Sequence, residues 1–163
     1  MQTCSLIINY FKTTYEELCP SDQALIDAAK RASESAYAPY SKFNVGAAAL
    51  LSNGEIVCGN NQENAAYPSG MCAERCAVFY ANAQYPQSAI TTLAIAASNT
   101  PDSFLASPIT PCGACRQVLL ESQKRFNIPM RLLLYGTKEV LVLPNVDALL
   151  PFQFNSKTLK SEK

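Results

Sequence analysis

The chain reads as an α/β protein, a three-layer α/β/α sandwich around a mixed sheet of about five strands. Three observations predict this. The element pattern runs helix, two strands, then strand and helix in alternation. An Asn53-Gly54 pair separates the first two strand-like runs, which makes them an antiparallel hairpin. Helical segments lie between the later strand-like runs, and such crossovers imply parallel pairing. With 163 residues, 48% of them hydrophobic, the chain has the length of one domain and enough apolar side chains to fill a core.

The first 20 residues read as an N-terminal extension, in which Leu6 to Phe11 suits a short strand and Cys19-Pro20 closes the segment. Residues 21–155 form the predicted domain and 156–163 a polar C-terminal tail. Ser21 stands where an N-cap is expected. Ala24, Leu25, Ala28, Ala29 and Ala32 then give one apolar helical face up to about Tyr37, and Pro39 forbids continuation. Phe43 to Leu51 reads as a strand and Glu55 to Gly59 as its return. Asn60 to Pro68 is a polar loop, followed by a helix from about Cys72 to Ala83. Thr92 to Ala97 is an apolar run fit for a buried strand. Ser98 to Thr110, rich in Ser, Pro and Asn, is a loop, and a helix runs from about Cys112 to Lys124. Arg131 to Tyr135 and Glu139 to Leu143 are the last strands, before a short helix around Asp147 to Leu150.

Formal net charge is zero, with 13 basic and 13 acidic residues. Phosphate contacts dominate nucleic-acid affinity and require a basic surplus, so the balance favours a small neutral ligand over a polymer. The start, Met1 to Tyr10, lacks the basic segment and apolar run of an export signal, and no stretch approaches the roughly 20 apolar residues of a membrane span. Seven cysteines, an odd number, are therefore expected as reduced thiols in a cytoplasmic protein without membrane attachment, some of them binding metal. The absence of histidine excludes His-based triads and His-containing zinc sites.

Two segments carry the chemistry: Met71-Cys72-Ala73-Glu74-Arg75 and Thr110-Pro111-Cys112-Gly113-Ala114-Cys115-Arg116-Gln117. Each opens a predicted helix after a loop. Cys112 and Cys115, three apart on a first helical turn, point their sulfurs the same way and make a two-toothed zinc clamp. Backbone N–H groups and the helix dipole there favour thiolates. Alone, such a pair also suits a thioredoxin-like redox site. Cys72 is the natural third ligand. Cys76, one turn further on, leaves two alternatives: a closed four-thiolate structural zinc, or a core cysteine beside a three-ligand site with an open position for water. Glu74, two residues after Cys72, favours the second, since a carboxylate near a metal-bound water can take its proton without being a ligand. Arg75 is placed to donate to a ligating sulfur and offset the net charge of −1 that three thiolates leave on Zn2+. This order of Cys, Glu and Pro-Cys-x-x-Cys matches the zinc deaminase signature.

The sequence resembles the cytidine deaminase family, of the small, usually homotetrameric type, from about Ser21 to Phe154. The blocks that carry the resemblance are Tyr37 to Phe43, Val45 to Ala48, Asn61 to Pro68, Cys72 to Arg75 and Pro111 to Gln117. The resemblance implies one zinc per subunit on Cys72, Cys112 and Cys115, with zinc-bound hydroxide as nucleophile and Glu74 as proton shuttle. It implies Asn61 and Glu63 on the ribose hydroxyls, Phe43 on the pyrimidine, and the Ala73 backbone with Glu74 at the base edge. Tyr67 and Phe154 would come from neighbouring subunits that complete each site. The activity implied is hydrolytic deamination of free cytidine or deoxycytidine in pyrimidine salvage. Family members often carry Gly-Pro after the final Phe, whereas Asn155-Ser156 follow here, which leaves Phe152 as a competitor to Phe154. Two rival readings are a deaminase of a nucleoside analogue such as blasticidin S, and a non-enzymatic four-thiolate zinc protein.

Overall fold

The computed structural model describes residues 1–100 and 103–159. Seven strands form one mixed sheet: β1 (Phe11–Thr13), β2 (Asn44–Leu51), β3 (Ile56–Asn60), β4 (Ile90–Thr100), β5 (Ser103–Phe104), β6 (Arg131–Tyr135) and β7 (Val140–Leu143). Their order is β1-β7-β6-β4-β2-β3, with β5 added to β4. The helices are α1 (Pro20–Glu34), α2 (Ala73–Gln84), α3 (Gly113–Phe126) and the short α4 (Ser156–Leu159), with 3-10 turns at Tyr67–Ser69 and Val146–Leu149. No described helix is long and apolar enough to cross a membrane.

The five strands expected from the sequence make the body of the sheet, β3-β2-β4-β6-β7. The two additional strands are three and two residues long and lie at its margins. Period-2 alternation explains the three layers. Val45, Ala47, Ala49 and Leu51 of β2, Leu93, Ile95 and Ala97 of β4, and Leu132 and Leu134 of β6 face α2 and α3. Their alternates Ala48, Ala94, Ala96 and Leu133 face α1 through Leu25, Ile26 and Ala29. Each fully buried Leu or Ile among these contributes about 1.5–3 kcal/mol.

Among the described strand pairs β4 and β6 run parallel and the others antiparallel. The α2 crossover does join strands of the same direction, but β2 lies between β3 and β4. β2 can sit there because α1 rests directly on it: a Cβ at Gly46 would stand 1.9 Å from the Ala29 carbonyl oxygen and 2.5 Å from the Ser33 nitrogen. The hairpin turns at Gly54, whose φ of 89° suits glycine.

Several element ends differ from the sequence reading, and α1 already closes at Glu34, short of Tyr37. Helix α1 starts one residue before Ser21, with Cys19 at the N-cap and Pro20 at the first helical position, where its missing N–H is not needed. The N-terminal strand is Phe11–Thr13 rather than Leu6 to Phe11, and it pairs with β7. An ion pair of 2.6 Å between Lys12 and Glu139 supports that register. Strand β4 extends through Ser98 into the expected loop, where β5 pairs with it.

Candidate active site

Two helix starts converge. Cys72 is the N-cap of α2 and Cys112 the N-cap of α3, both in extended backbone and neither making a side-chain cap bond. Cys115 lies in the first turn of α3 and is wholly buried. The three Sγ atoms lie within 4.8 Å of one another, with Cys72 and Cys112 3.8 Å apart. A tetrahedral zinc ion with Zn–S bonds of about 2.3 Å places its sulfurs about 3.8 Å apart. The spacing and the soft donor set therefore fit one zinc ion per chain. Cys76 lies outside this group, so the cluster found among the described residues has three thiols and leaves a fourth tetrahedral position open. Cys112 and Cys115 are free thiols.

Arg75 reaches back over the helix start. Its Nη2 lies 3.5 Å from the Gly70 carbonyl and 3.9 Å from the Cys72 sulfur. The Cys115 thiol and this guanidinium hold the Cys72 thiol well below its ordinary pKa, against the opposing effect of burial. The same partnership, burial and the nearby Glu74 push Cys115 up. Glu74, the second residue of α2, is only 4% exposed. Burial is the main reason its pKa is raised; its own backbone N–H opposes the shift and the charge on Cys72 adds to it.

Beside Cys72 opens a cavity of about 580 Å3. Tyr40, Ser41, Asn61 to Asn64, Tyr67, Gly70 to Cys72 and Arg75 line it. Backbone pairing builds these walls. Tyr37 N donates to Asn61 O at 3.0 Å and Glu63 N to Tyr37 O at 2.8 Å, while Gln62 and Met71 exchange bonds of 2.9 and 2.8 Å. Asn61 stitches the loop to β2: its Oδ1 accepts from Val45 N at 2.8 Å and its Nδ2 donates to Phe43 O at 2.9 Å. Glu63 Oε2 accepts from the backbone N–H groups of Tyr40 at 2.9 Å and Ser41 at 3.3 Å. The Ser41 hydroxyl and the Tyr40 N–H lower its pKa. Tyr67 is exposed and edge-on to Tyr40, with ring centroids 6.4 Å apart.

The structure thus brings Asn61, Glu63, Tyr67, Cys72 and Arg75 to one cavity. Ala73 and Glu74 are buried at the start of α2 and do not line it. Phe43 is half-buried against the core under α2 and α3. Phe154 is 57% exposed, with its carbonyl accepting from Gln117 Nε2 at 3.0 Å, and Phe152 is 94% exposed. Tyr40 and Ser41 were not singled out by the sequence reading. Both hold Glu63 through backbone N–H groups, a contact that any residue but proline supplies, and the Ser41 hydroxyl adds to it.

Three converging thiols with an open fourth position and a buried carboxylate alongside make a metal site of the catalytic type. Comparison with known proteins identifies the class. The family model described as "Cytidine and deoxycytidylate deaminase zinc-binding region" matches residues 20–130. The cytidine deaminase of Sporosarcina psychrophila is 41% identical over 137 residues, 84% of this chain and 93% of that protein. That of Halalkalibacterium halodurans is 42% identical over 99 residues, 61% of this chain and 70% of the other. The crystal structure of cytidine deaminase from Burkholderia pseudomallei superimposes with a TM-score of 0.69 at 40% identity, covering 81% of this chain and 98% of that one. The chain belongs to the cytidine and deoxycytidylate deaminase family.

Proposed function

We propose that the chain hydrolyses free cytidine and deoxycytidine to uridine and deoxyuridine with release of ammonia, as a cytoplasmic enzyme of pyrimidine salvage. The observation that carries this reading is the three-thiol cluster, spaced for zinc, with Glu74 buried two residues beyond Cys72. Bound at Cys72, Cys112 and Cys115, zinc would supply hydroxide at neutral pH for attack at C4 by lowering the pKa of its water. Glu74 takes the proton released there, delivers it to ring N3 and then relays one to the departing 4-amino group. Its burial keeps bulk water from competing for that proton. Arg75 offsets thiolate charge through Cys72.

In this reading Asn61 and Glu63 bind the ribose hydroxyls, Phe43 packs on the pyrimidine, and the Ala73 backbone reads the base edge. The charges around the cavity favour a nucleoside over a nucleotide or a nucleic acid. Among its described lining residues Arg75 is the one cation, and it is directed at Cys72 and Gly70. Tyr67 and Phe154 act across subunit contacts in a homotetramer. Exposed Phe79 and Tyr80 on α2 support self-association.

The test is ultraviolet loss of the 4-amino chromophore with cytidine, deoxycytidine, deoxycytidylate, blasticidin S and a cytosine oligonucleotide. Turnover of the two nucleosides is expected. Glu74→Gln should stay folded and zinc-loaded while losing about 10²–10⁴-fold in kcat. A variant within tenfold of wild type would remove Glu74 from the role, and turnover of blasticidin S alone would replace the substrate.

A further inference from the structure

We infer that Arg116 is a positioning residue for the metal clamp: by gripping the loop that delivers Cys112 it sets zinc affinity and geometry, without touching metal or substrate. The inference rests on the three-thiol zinc reading given above.

The three sulfurs are not held alike. Cys115 is fixed inside α3 by complete burial. Cys72 has the Arg75 guanidinium near its sulfur. Cys112 is exposed, and no side-chain cap bond fixes the start of α3. Its place 3.8 Å from Cys72 therefore depends on the course of the chain just before it. Arg116 controls that course. Its side chain folds back across the helix start, and Nε donates to the Pro111 carbonyl at 2.8 Å while Nη2 donates to Thr110 Oγ1 at 3.2 Å. These acceptors belong to the two residues immediately preceding Cys112. Nη1 donates to the Leu149 carbonyl at 3.3 Å, at the end of the second 3-10 turn.

That anchor is itself tied to α3. Gln123 Oε1 accepts from Val146 N at 3.0 Å, and Gln123 Nε2 and Lys124 Nζ donate to Asp147 at 2.7 and 2.8 Å. The guanidinium thus spans the approach to Cys112 and a braced turn with three of its five donors in one rigid plane. Among the described residues it makes no ion pair, so the carbonyl and hydroxyl contacts account for its placement. Groups that orient metal ligands in this indirect way typically govern metal affinity by about 10–100-fold.

The test compares wild type, Arg116→Ala and Arg116→Lys. Zinc affinity is measured by competition with a chromogenic chelator. Ligand geometry is read from the visible bands of the cobalt-loaded protein, and stability from urea unfolding with and without zinc. Arg116→Ala should bind zinc about 10–100-fold more weakly, with altered cobalt bands and a smaller zinc-induced rise in unfolding midpoint. Arg116→Lys, which reaches one acceptor at a time, should fall between, and it carries the test if the alanine variant does not fold. A variant less stable to the same extent with and without zinc, but with wild-type affinity and cobalt bands, would overturn the proposal and leave Arg116 a plain structural tie. Failure of the wild type itself to bind zinc would instead remove the three-thiol reading, and the proposal with it.

Discussion

Asn61 gives the sharpest quantitative test, because one side chain both builds the cavity and faces it. Its amide is bonded to Val45 N at 2.8 Å and Phe43 O at 2.9 Å, both partly buried. Asn61→Ala strands a backbone donor and a backbone acceptor. A buried polar group left unsatisfied costs about 1–3 kcal/mol, so two cost about 2–6 kcal/mol, and partial burial places the sum near the lower end, about 2–3 kcal/mol. Urea unfolding should show this as a midpoint shift of about 1 M, given slopes of about 1–3 kcal/mol/M. After these bonds an amide retains one N–H and one lone pair for a ligand. The variant should therefore also raise KM for cytidine. Asn64→Ala is the control: its Oδ1 accepts from Ala66 N at 2.8 Å on the exposed side of the same loop, and its loss should cost less than about 1 kcal/mol. An Asn61→Ala protein as stable as wild type would refute the view that this amide stitches the loop to β2.

Three further outcomes are expected. Cys76→Ala should keep one zinc per chain by elemental analysis, since Cys76 lies outside the thiol cluster; loss of the metal would reinstate a four-thiolate site. Gly46→Ala should destabilise by about 3 kcal/mol in denaturant, the upper end for overpacking, because both contacts within 2.5 Å are backbone atoms of α1; a change below about 1 kcal/mol would mean that the helix shifts freely. Burial alone would raise the Asp147 pKa, but Lys124, Gln153 and Gln123 outweigh it and hold it below 3.8. A depressed carboxylate contributes stability that is present above the unfolded pKa and lost as pH falls through the folded one. Asp147→Asn should therefore be less stable than wild type at pH 7, by no more than about 1 kcal/mol given its solvent exposure, and the difference should vanish in acid below pH 3.8. A constant difference across that range would assign the effect to packing.

What could be read from the sequence follows from how local each cause is. Strand β6 runs from Arg131 to Tyr135 as its apolar run indicates, and α2 and α3 start within a residue of the expected place. The three-thiol cluster was legible because only a few residue types bind zinc and helical spacing fixes their direction. The margins were not legible. Phe11–Thr13 shows no buried alternation, and Ser103–Phe104 is two residues inside a polar stretch. Their pairing is decided by the neighbours they meet. The antiparallel seat of β2 between β3 and β4 is likewise tertiary, permitted by the missing side chain at Gly46. Of the cavity walls, Asn61, Glu63 and Tyr67 were named from the sequence, whereas Tyr40 and Ser41 were not, because they contribute main-chain donors.

The cysteines at the two helix starts tie these levels together. Cys72 and Cys112 occupy N-cap positions where Ser, Thr, Asp or Asn would bond the exposed backbone N–H groups, and neither makes such a bond. Relative to a good cap, each helix gives up about 1 kcal/mol. The same uncapped N–H groups and dipoles create positive potential, and they converge where Arg75 adds a full charge near Cys72. The partnership of the Cys72 and Cys115 thiols lowers the pKa of Cys72 and raises that of Cys115, while burial raises both. Zinc binds cysteine as thiolate, so metal binding and loss of the thiol protons are coupled. The sequence features that weaken α2 and α3 as helices are therefore those that make their meeting point suited to a bound cation, with Glu74 buried two residues beyond Cys72.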